Sequence, residues 1–245
     1  MCTVSYLPKA SGGFILTSNR DEAPSRATSE IKHLERMRGQ QLIFPQDPHS
    51  GGSWICLSNQ KRLVCLLNGA FKKHDHRPPY RRSRGLVVLD VFDHPLIDDF
   101  FTHYLLDDIE PFTMVVVDQN QLFEFRWDGQ YRHLQVLDSR SPYIWSSSTL
   151  YTPHFRQKRA ELFEQWLALR EPYEVDNILQ FHQSGGTGDA DNDFVMNRNN
   201  IVRTISITSV ERDAQYYHFL HKDLLKGQSI QKKFEIQPTA SLAKN

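Results

Sequence analysis

The second residue of the chain, Cys2, offers two reactive groups at once if Met1 is removed. The thiol is a nucleophile, and the α-amine, with an unperturbed pKa of about 8, is a base that can take up the thiol proton. The alternative is that Cys2 is an ordinary small residue at the start of a strand. Position alone leaves both interpretations open.

The polar run Asn19-Arg20-Asp21-Glu22 carries the other groups that such a nucleophile needs. The guanidinium of Arg20 would favour a thiolate, the carboxylate of Asp21 would orient the α-ammonium group, and the amide of Asn19 would position a substrate. The same four residues could instead form a solvated turn after a strand. Their value as a site therefore depends on how close they lie to Cys2.

The elements around these residues predict that they do lie close. Residues Cys2 to Leu7 and Phe14 to Ser18 have the pattern of strands, and Ser11-Gly12-Gly13 between them has that of a turn. In a hairpin the two outer ends are adjacent, so Cys2 should come within side-chain reach of the segment from Asn19 to Asp21.

The rest of the chain alternates strand hairpins with a few helices. The predicted strands are Trp54 to Leu57, Arg62 to Asn68, Phe112 to Val117, Gln121 to Arg126, Tyr131 to Leu137, Ile201 to Ser209 and Gln215 to Leu220. The predicted helices cover Leu86 to Val91, Ile97 to Leu106, the segment after Pro153, and Asp176 to His182. This order predicts an α+β fold in which helices cover largely antiparallel sheets. No linker divides the chain, so residues 1–228 are predicted to form one domain and Ser229 to Asn245 a mobile tail.

Composition argues against several functions. Lys plus Arg and Asp plus Glu number 29 each, so the formal net charge is zero and does not attract nucleic acid or anionic lipid. The apolar runs fall far short of the roughly 20 residues that span a bilayer, so no transmembrane segment is predicted. No secretory signal precedes the cysteine, which predicts a cytoplasmic location. No glycine-rich phosphate or dinucleotide loop occurs, and neither a cofactor nor a metal is predicted.

Three cysteines in a reducing compartment argue against a disulfide framework. Cys56 and Cys65 lie symmetrically about a turn near Gln60 and Lys61, which predicts that they face each other on one side of a hairpin. Two packed core thiols are the favoured interpretation, and a redox pair is the alternative.

Six short segments follow one another along the chain: MCTVSYL, TSNRDE, GGSW, LLNGAF, RSRG and WSSSTLYTP. In this order they resemble the NRDE family, which includes the transport and Golgi organisation 2 (TANGO2) proteins, and the resemblance spans most of the chain. The N-terminal part is similar to N-terminal-nucleophile hydrolases of the choloylglycine hydrolase and penicillin V acylase type. The resemblance implies a four-layer αββα fold with two stacked, largely antiparallel sheets.

The same resemblance implies roles around the N-terminus. Cys2 would attack an amide, and Asn19 and Asp21 match a segment that contacts the nucleophile in the hydrolases. The hydrolases carry an arginine directly before this asparagine, where the present chain has Ser18, and the nearest arginine is Arg20. Arg20 would then lower the thiol pKa or hold a substrate carboxylate.

Three further residues match the hydrolase pattern. Asn68, at the end of a Leu-Asn strand, would receive the oxyanion. Ser147 stands where the hydrolases supply a second asparagine, and its hydroxyl could still donate a hydrogen bond. Arg203 is the candidate for a late arginine of the site, with an ordinary edge-strand arginine as the alternative.

These residues predict an N-terminal-cysteine hydrolase that cleaves the C–N bond of a small, non-peptide acyl amide. The alternative is a non-catalytic protein that keeps the pocket to bind or transfer haem, a lipid or an acyl-CoA, to which the resemblance also points. His74, Asp75 and His76 could ligate a metal, and the basic loop from Lys72 to Arg84 could hold an anion, although a solvated loop is favoured for both. The predicted partner is a small amide or hydrophobic ligand, and the oligomeric state is not predicted.

Overall fold

Alternating side chains give the first two strands two different buried faces. In β1 (Thr3–Pro8), Val4 packs into a core between two sheets, whereas Leu7 packs beneath helices. β2 (Phe14–Glu22) alternates in the same way and pairs with β1 in antiparallel register. Because successive side chains of a strand point to opposite faces, every residue of this hairpin has a defined neighbouring layer.

The computed structural model describes residues 3–28, 30–36, 39–169 and 172–237. The further strands are β3 (Ile31–Glu35), β4 (Gln41–Pro45), β5 (Ile55–Ser58), β6 (Arg62–Asn68), β7 (Phe112–Asp118), β8 (Gln121–Trp127), β9 (Arg132–Leu137), β10 (Tyr143–Ser146), β11 (Asn197–Arg198), β12 (Val202–Arg212), β13 (Tyr216–Asp223) and β14 (Gln228–Glu235). The helices are α1 (Arg84–Asp90), α2 (Ile97–His103), α3 (Pro153–Leu167) and α4 (Val175–Ser184), with 3-10 turns at Pro24–Arg26 and Val91–Asp93.

Two antiparallel sheets form the middle layers. One has the order β10-β1-β2-β12-β13-β14, with β11 beside β12, and the other runs in sequence order from β3 to β9. Helices α1 and α2 pack on the outer face of the second sheet, and α3 and α4 on the outer face of the first. The predicted α+β, four-layer αββα architecture is therefore confirmed. No helix within the described ranges is long and apolar enough to cross a membrane.

The predicted facing of Cys56 and Cys65 is wrong. The structure pairs Ile55 with Cys65 and Cys56 with Val64, because the hairpin loop has three residues and ends in Lys61 at φ 64°. A shift of one residue moves a side chain to the other face, so Cys56 lies in the helix-side core and Cys65 between the sheets. Both are free buried thiols, as the favoured interpretation predicted, and burial raises the pKa of Cys65 to about 12.

The C-terminal boundary differs from the prediction as well. The sequence predicts a mobile tail from Ser229 onwards, but the first residues of that segment belong to β14, which pairs along its whole length with β13. The sequence of β14 is mostly polar because its side chains are exposed at the sheet edge, with Phe234 as the buried exception. The predicted tail beyond residue 237 lies outside the described residues.

Candidate functional site

Strand β1 (Thr3–Pro8) starts with Thr3, which follows Cys2 in the sequence. Thr3 pairs with Asn19 of β2 on one side and with Ser146 of β10 on the other. The predicted hairpin is thus present, and it places the first described residue of the chain beside the Asn19 segment. Cys2 itself lies outside the described residues.

The side chain of Asn19 is fully buried and fastens β2 to α4. Its amide nitrogen donates to the carbonyl oxygens of His182, at 3.0 Å, and Phe194, at 2.6 Å. Its oxygen must then accept from the Nδ1–H of His182, 2.7 Å away, which leaves Nε2 of the ring to accept from the Ser5 hydroxyl at 2.7 Å. The hydrogen bond to Asn19 therefore determines which ring nitrogen of His182 carries the proton. The side-chain amide of Asn19 is used to hold β2 against α4.

Acidification from pH 7 to 5 is expected to destabilise the protein through His182. Burial, followed by the positive charge of Arg159, lowers the pKa of His182 to about 3. The unfolded chain, with a histidine pKa near 6.5, takes up the proton first, so stability present above about pH 6.5 is lost as the pH falls towards 3. The contribution of this histidine between pH 7 and 5 is about 2 kcal/mol.

Urea unfolding of the native chain and of His182→Gln at both pH values measures that contribution. The variant should be less stable at pH 7 but should lose less stability on acidification. His103→Gln, at an exposed position in α2, is the control and should follow the native profile. Parallel profiles for the native chain and His182→Gln would contradict a buried neutral histidine.

Asp21 lies on the same face of β2 as Asn19 and is also buried. One carboxylate oxygen accepts from the hydroxyl of Thr204 at 2.5 Å, and the other from the hydroxyl of Tyr151 at 2.8 Å. Thr204 is also the register partner of Asp21 in β12. The carboxylate is therefore fixed in orientation at the end of the sheet where β1 begins.

Arg159 of α3 completes this arrangement and was missed by the sequence reasoning. Its guanidinium donates to the Thr3 hydroxyl and to the carbonyl oxygens of Asn192 and Asp193, and it lies 3.6 Å from the ring centroid of Tyr151. Only 2% of Arg159 is exposed. The sequence could have indicated this role, since Arg159 lies on an otherwise apolar stripe of the helix. A charge on a buried helix face needs specific partners.

Arg20 points to the opposite face of β2 from Asn19 and Asp21, towards a cleft that residues of both sheets line. Its guanidinium binds the carboxylate of Asp47 at 2.6 Å and lies 4.0 Å from the ring centroid of Trp54. Burial lowers the pKa of Arg20 to about 10, although Asp47 opposes that shift. Arg20 therefore stays charged at neutral pH.

A cleft of about 410 Å³ opens beside Arg20. Asn68, the last residue of β6, lines it together with residues of the basic loop. Within that loop the predicted His74 and His76 both contact Glu110, and Arg84 binds the same carboxylate at 2.9 Å. No group of three metal-ligating side chains occurs within the described ranges. The loop thus forms a wall of the cleft and is held to Glu110 by an ion pair from Arg84 and by contacts of the two histidines.

The two residues predicted to receive an oxyanion lie together. The hydroxyl of Ser147 donates to the main-chain carbonyl of Asn68 at 2.8 Å and is 2.9 Å from the hydroxyl of Thr149. A hydroxyl has one proton, so Ser147 cannot also donate to an oxyanion in this arrangement. Its observed contact joins the end of β6 to the end of β10.

Arg203 is separated from these groups. It pairs in register with Glu22 of β2 and Asn197 of β11, and its side chain makes neither a hydrogen bond nor an ion pair within the described part of the chain. Its Nε is buried without a partner there. The structure therefore brings Asn68 and Ser147 together but does not join Arg203 to them.

Two stacked antiparallel sheets between helix layers define the N-terminal-nucleophile hydrolase class of folds. An ortholog of N-acylethanolamine-hydrolyzing acid amidase from Caenorhabditis elegans is similar with a TM-score of 0.58 and 14% identity, covering 85% of this chain and 92% of that one. A variant of conjugated bile acid hydrolase from Clostridium perfringens has a TM-score of 0.52 and 10% identity, covering 99% and 100%. At these identities the likeness establishes the fold.

The chain belongs to the transport and Golgi organisation 2 (TANGO2) family, whose sequence model matches residues 1–218. A comparison with curated proteins gave no match.

Proposed function

We propose that this protein is an N-terminal-cysteine hydrolase of a small acyl amide, with Cys2 as the nucleophile after loss of Met1. The observation that carries the proposal is the immobilisation of Thr3, the residue next to Cys2. Its backbone is held between β2 and β10, and its hydroxyl is held by Arg159. A nucleophile gains most from a rigid support, because misplacement by about 1 Å can cost on the order of 100-fold in rate.

The proposed reaction has two stages. The thiol of Cys2 attacks the carbonyl carbon of the amide while its proton passes to the α-amine, and the carbonyl oxygen becomes an oxyanion near Asn68. The α-ammonium group returns the proton to the leaving nitrogen, the C–N bond breaks, and a thioester remains on Cys2. Water then hydrolyses the thioester and releases the carboxylic acid. Asp21, fixed by two hydroxyl groups, orients the α-amine.

The cleft favours a substrate with a polar group near the scissile bond. Trp54 Nε1, Ser206 Oγ and His221 Nε2 are buried around Arg20 without partners in the described part of the chain. The rings of Trp54 and His221 are 6.2 Å apart, and Ser206 is the register partner of Arg20. Buried polar atoms are normally hydrogen-bonded, and Trp54 lines the cleft, so its Nε1–H could donate to a polar substituent of the substrate.

A non-catalytic binding protein is the second candidate, and one observation favours it. The hydroxyl of Ser147 is committed to the carbonyl of Asn68, which leaves a single predicted side-chain donor for an oxyanion. Loss of one oxyanion donor costs about 100-fold to 1,000-fold in turnover in a comparable site. A pocket with this defect could still bind haem, a lipid or an acyl-CoA.

Intact mass spectrometry separates the two candidates directly. The hydrolase requires a mature mass that lacks Met1, and brief incubation with a panel of activated acyl amides should add one acyl group to Cys2. Peptide mapping after acid quenching should find the adduct on Cys2 and none on Cys56 or Cys65, whose thiols are buried. Retention of Met1 in the native protein would rule out the hydrolase mechanism.

A further inference from the structure

A second and larger cavity lies at the opposite end of the sheets from the cleft beside Arg20. It has a volume of about 1140 Å³ and opens at the turn between β1 and β2. Phe14, in its wall, stands five strand residues before Asn19, which corresponds to about 17 Å along β2. The cavity is therefore separate from the proposed catalytic site.

The inner wall of this cavity is apolar and aromatic. Tyr6 and Phe14, which stack with ring centroids 5.4 Å apart, and Val117 of the other sheet lie behind this wall and are almost fully buried, so the apolar side chains that remain partly open to the cavity include Pro142 and Tyr173. The wall thus joins both sheets and the segment before α4. Surfaces of this kind bind apolar groups by removing them from water.

One cation in this wall, Arg212, has no counter-ion in the part of the chain that the structure describes. Lys9 is paired with Glu211, and Arg140 with Asp138, but Arg212 pairs with no carboxylate in the described ranges. Arg212 donates from Nη1 to the carbonyl of Gln119 at 3.1 Å, and its Nε is buried without a partner in those ranges.

Tyr6 does not neutralise Arg212. Burial raises the pKa of Tyr6 to about 12, although the charge of Arg212 opposes that shift, so the phenol stays uncharged at neutral pH. The Tyr6 hydroxyl donates to the carbonyl of Ser139. Arg212 itself belongs to β12, where it pairs with Phe14 and Tyr217, so its backbone is held in place. The cavity therefore combines apolar side chains with a positive charge that has no carboxylate partner among the described residues.

We propose that this cavity binds an apolar carboxylate, with the carboxylate at Arg212 and the apolar body against Pro142 and Tyr173. A guanidinium binds a carboxylate through paired, charge-assisted hydrogen bonds. An apolar carboxylate can make this charged contact and the apolar contact at the same time. The inference stands apart from amide hydrolysis, because neither Cys2 nor Asn68 takes part.

Titration calorimetry with dodecanoate tests the proposal. Arg212→Gln should weaken dodecanoate binding about tenfold but leave binding of dodecan-1-ol unchanged, because only the charged contact is lost. Arg140→Gln is the matched control and should remain within about twofold of the native protein, since Arg140 is exposed and already paired. Equal dodecanoate affinity in the native protein and Arg212→Gln would overturn the proposal.

A second variant guards against a folding defect in Arg212→Gln. Ala10 is exposed on the turn at the rim, so Ala10→Glu adds a negative charge without disturbing the core, and it should weaken dodecanoate about threefold by repulsion. Amide chemical shifts give the location: dodecanoate should move the signals of Gly12 and Gly13 and spare Gly69. Shifts confined to Gly69 would place the ligand in the other cleft and refute the proposal, whatever the outcome for amide turnover.

Discussion

Replacement of Cys2 with alanine is expected to abolish turnover of any amide that the native protein hydrolyses, by at least about 10⁴-fold in kcat. The substitution removes the only atom that forms the thioester, while the α-amine and the hydrogen bonds of Thr3 remain. The measurement is release of amine from the best substrate of the amide panel, with denaturant unfolding to verify that stability is unchanged.

Thr3→Ser is the matched control, because it keeps the hydroxyl that Arg159 binds and should keep most of the turnover. Full activity in Cys2→Ala would eliminate Cys2 as the nucleophile. Unchanged ligand affinity in Cys2→Ala, together with no turnover by the native protein across the panel, would favour the binding protein.

Arg159→Met is expected to lower the free energy of unfolding by roughly 3–5 kcal/mol. The change keeps the apolar stem but leaves the Thr3 hydroxyl and the carbonyls of Asn192 and Asp193 without their donor inside the protein. It also removes the cation above Tyr151, whose hydroxyl holds Asp21. Urea unfolding at pH 7 measures the loss.

The control is Gln157→Met in the same helix. Gln157 is exposed and its side chain bonds to Glu161 one turn away, so this variant should unfold within about 0.5 kcal/mol of the native protein. The hydrolase proposal adds that Arg159→Met should lose kcat more than it changes KM, because Arg159 supports the strand and does not touch substrate. A stability loss below about 1 kcal/mol would show that the buried guanidinium is dispensable.

Local sequence patterns were sufficient to predict the β1–β2 hairpin, which carries the candidate site. Alternation placed β1 and β2, and the two glycines placed the turn between them. Gly13 has φ 86°, and an added Cβ would lie 2.1 Å from the carbonyl oxygen of Arg212, so only glycine fits there. The pairing of Thr3 with Asn19 follows from that turn.

Contacts between distant parts of the chain were beyond the same reasoning. Asn19 bonds to His182, 163 residues away, and Thr3 bonds to Arg159, 156 residues away. Both partners sit on helices where the apolar spacing predicts core positions but does not specify a polar partner. The prediction that Cys56 faces Cys65 was wrong for a different reason. A three-residue loop, in place of a symmetric tight turn, shifts the register of the hairpin by one residue.

The alternation of β2 has a consequence for how the Asn-Arg-Asp-Glu run can vary. Asn19 and Asp21 point to the helix-covered face of the sheet and bond there, whereas Arg20 and Glu22 line the cleft on the other face. Alternate residues of the run therefore belong to two different sites. Loss or gain of one residue between Gly13 and Asn19 would exchange the two sets and bury the wrong charges. The spacing from turn to motif can therefore change only in steps of two, which makes strand length itself a feature under constraint.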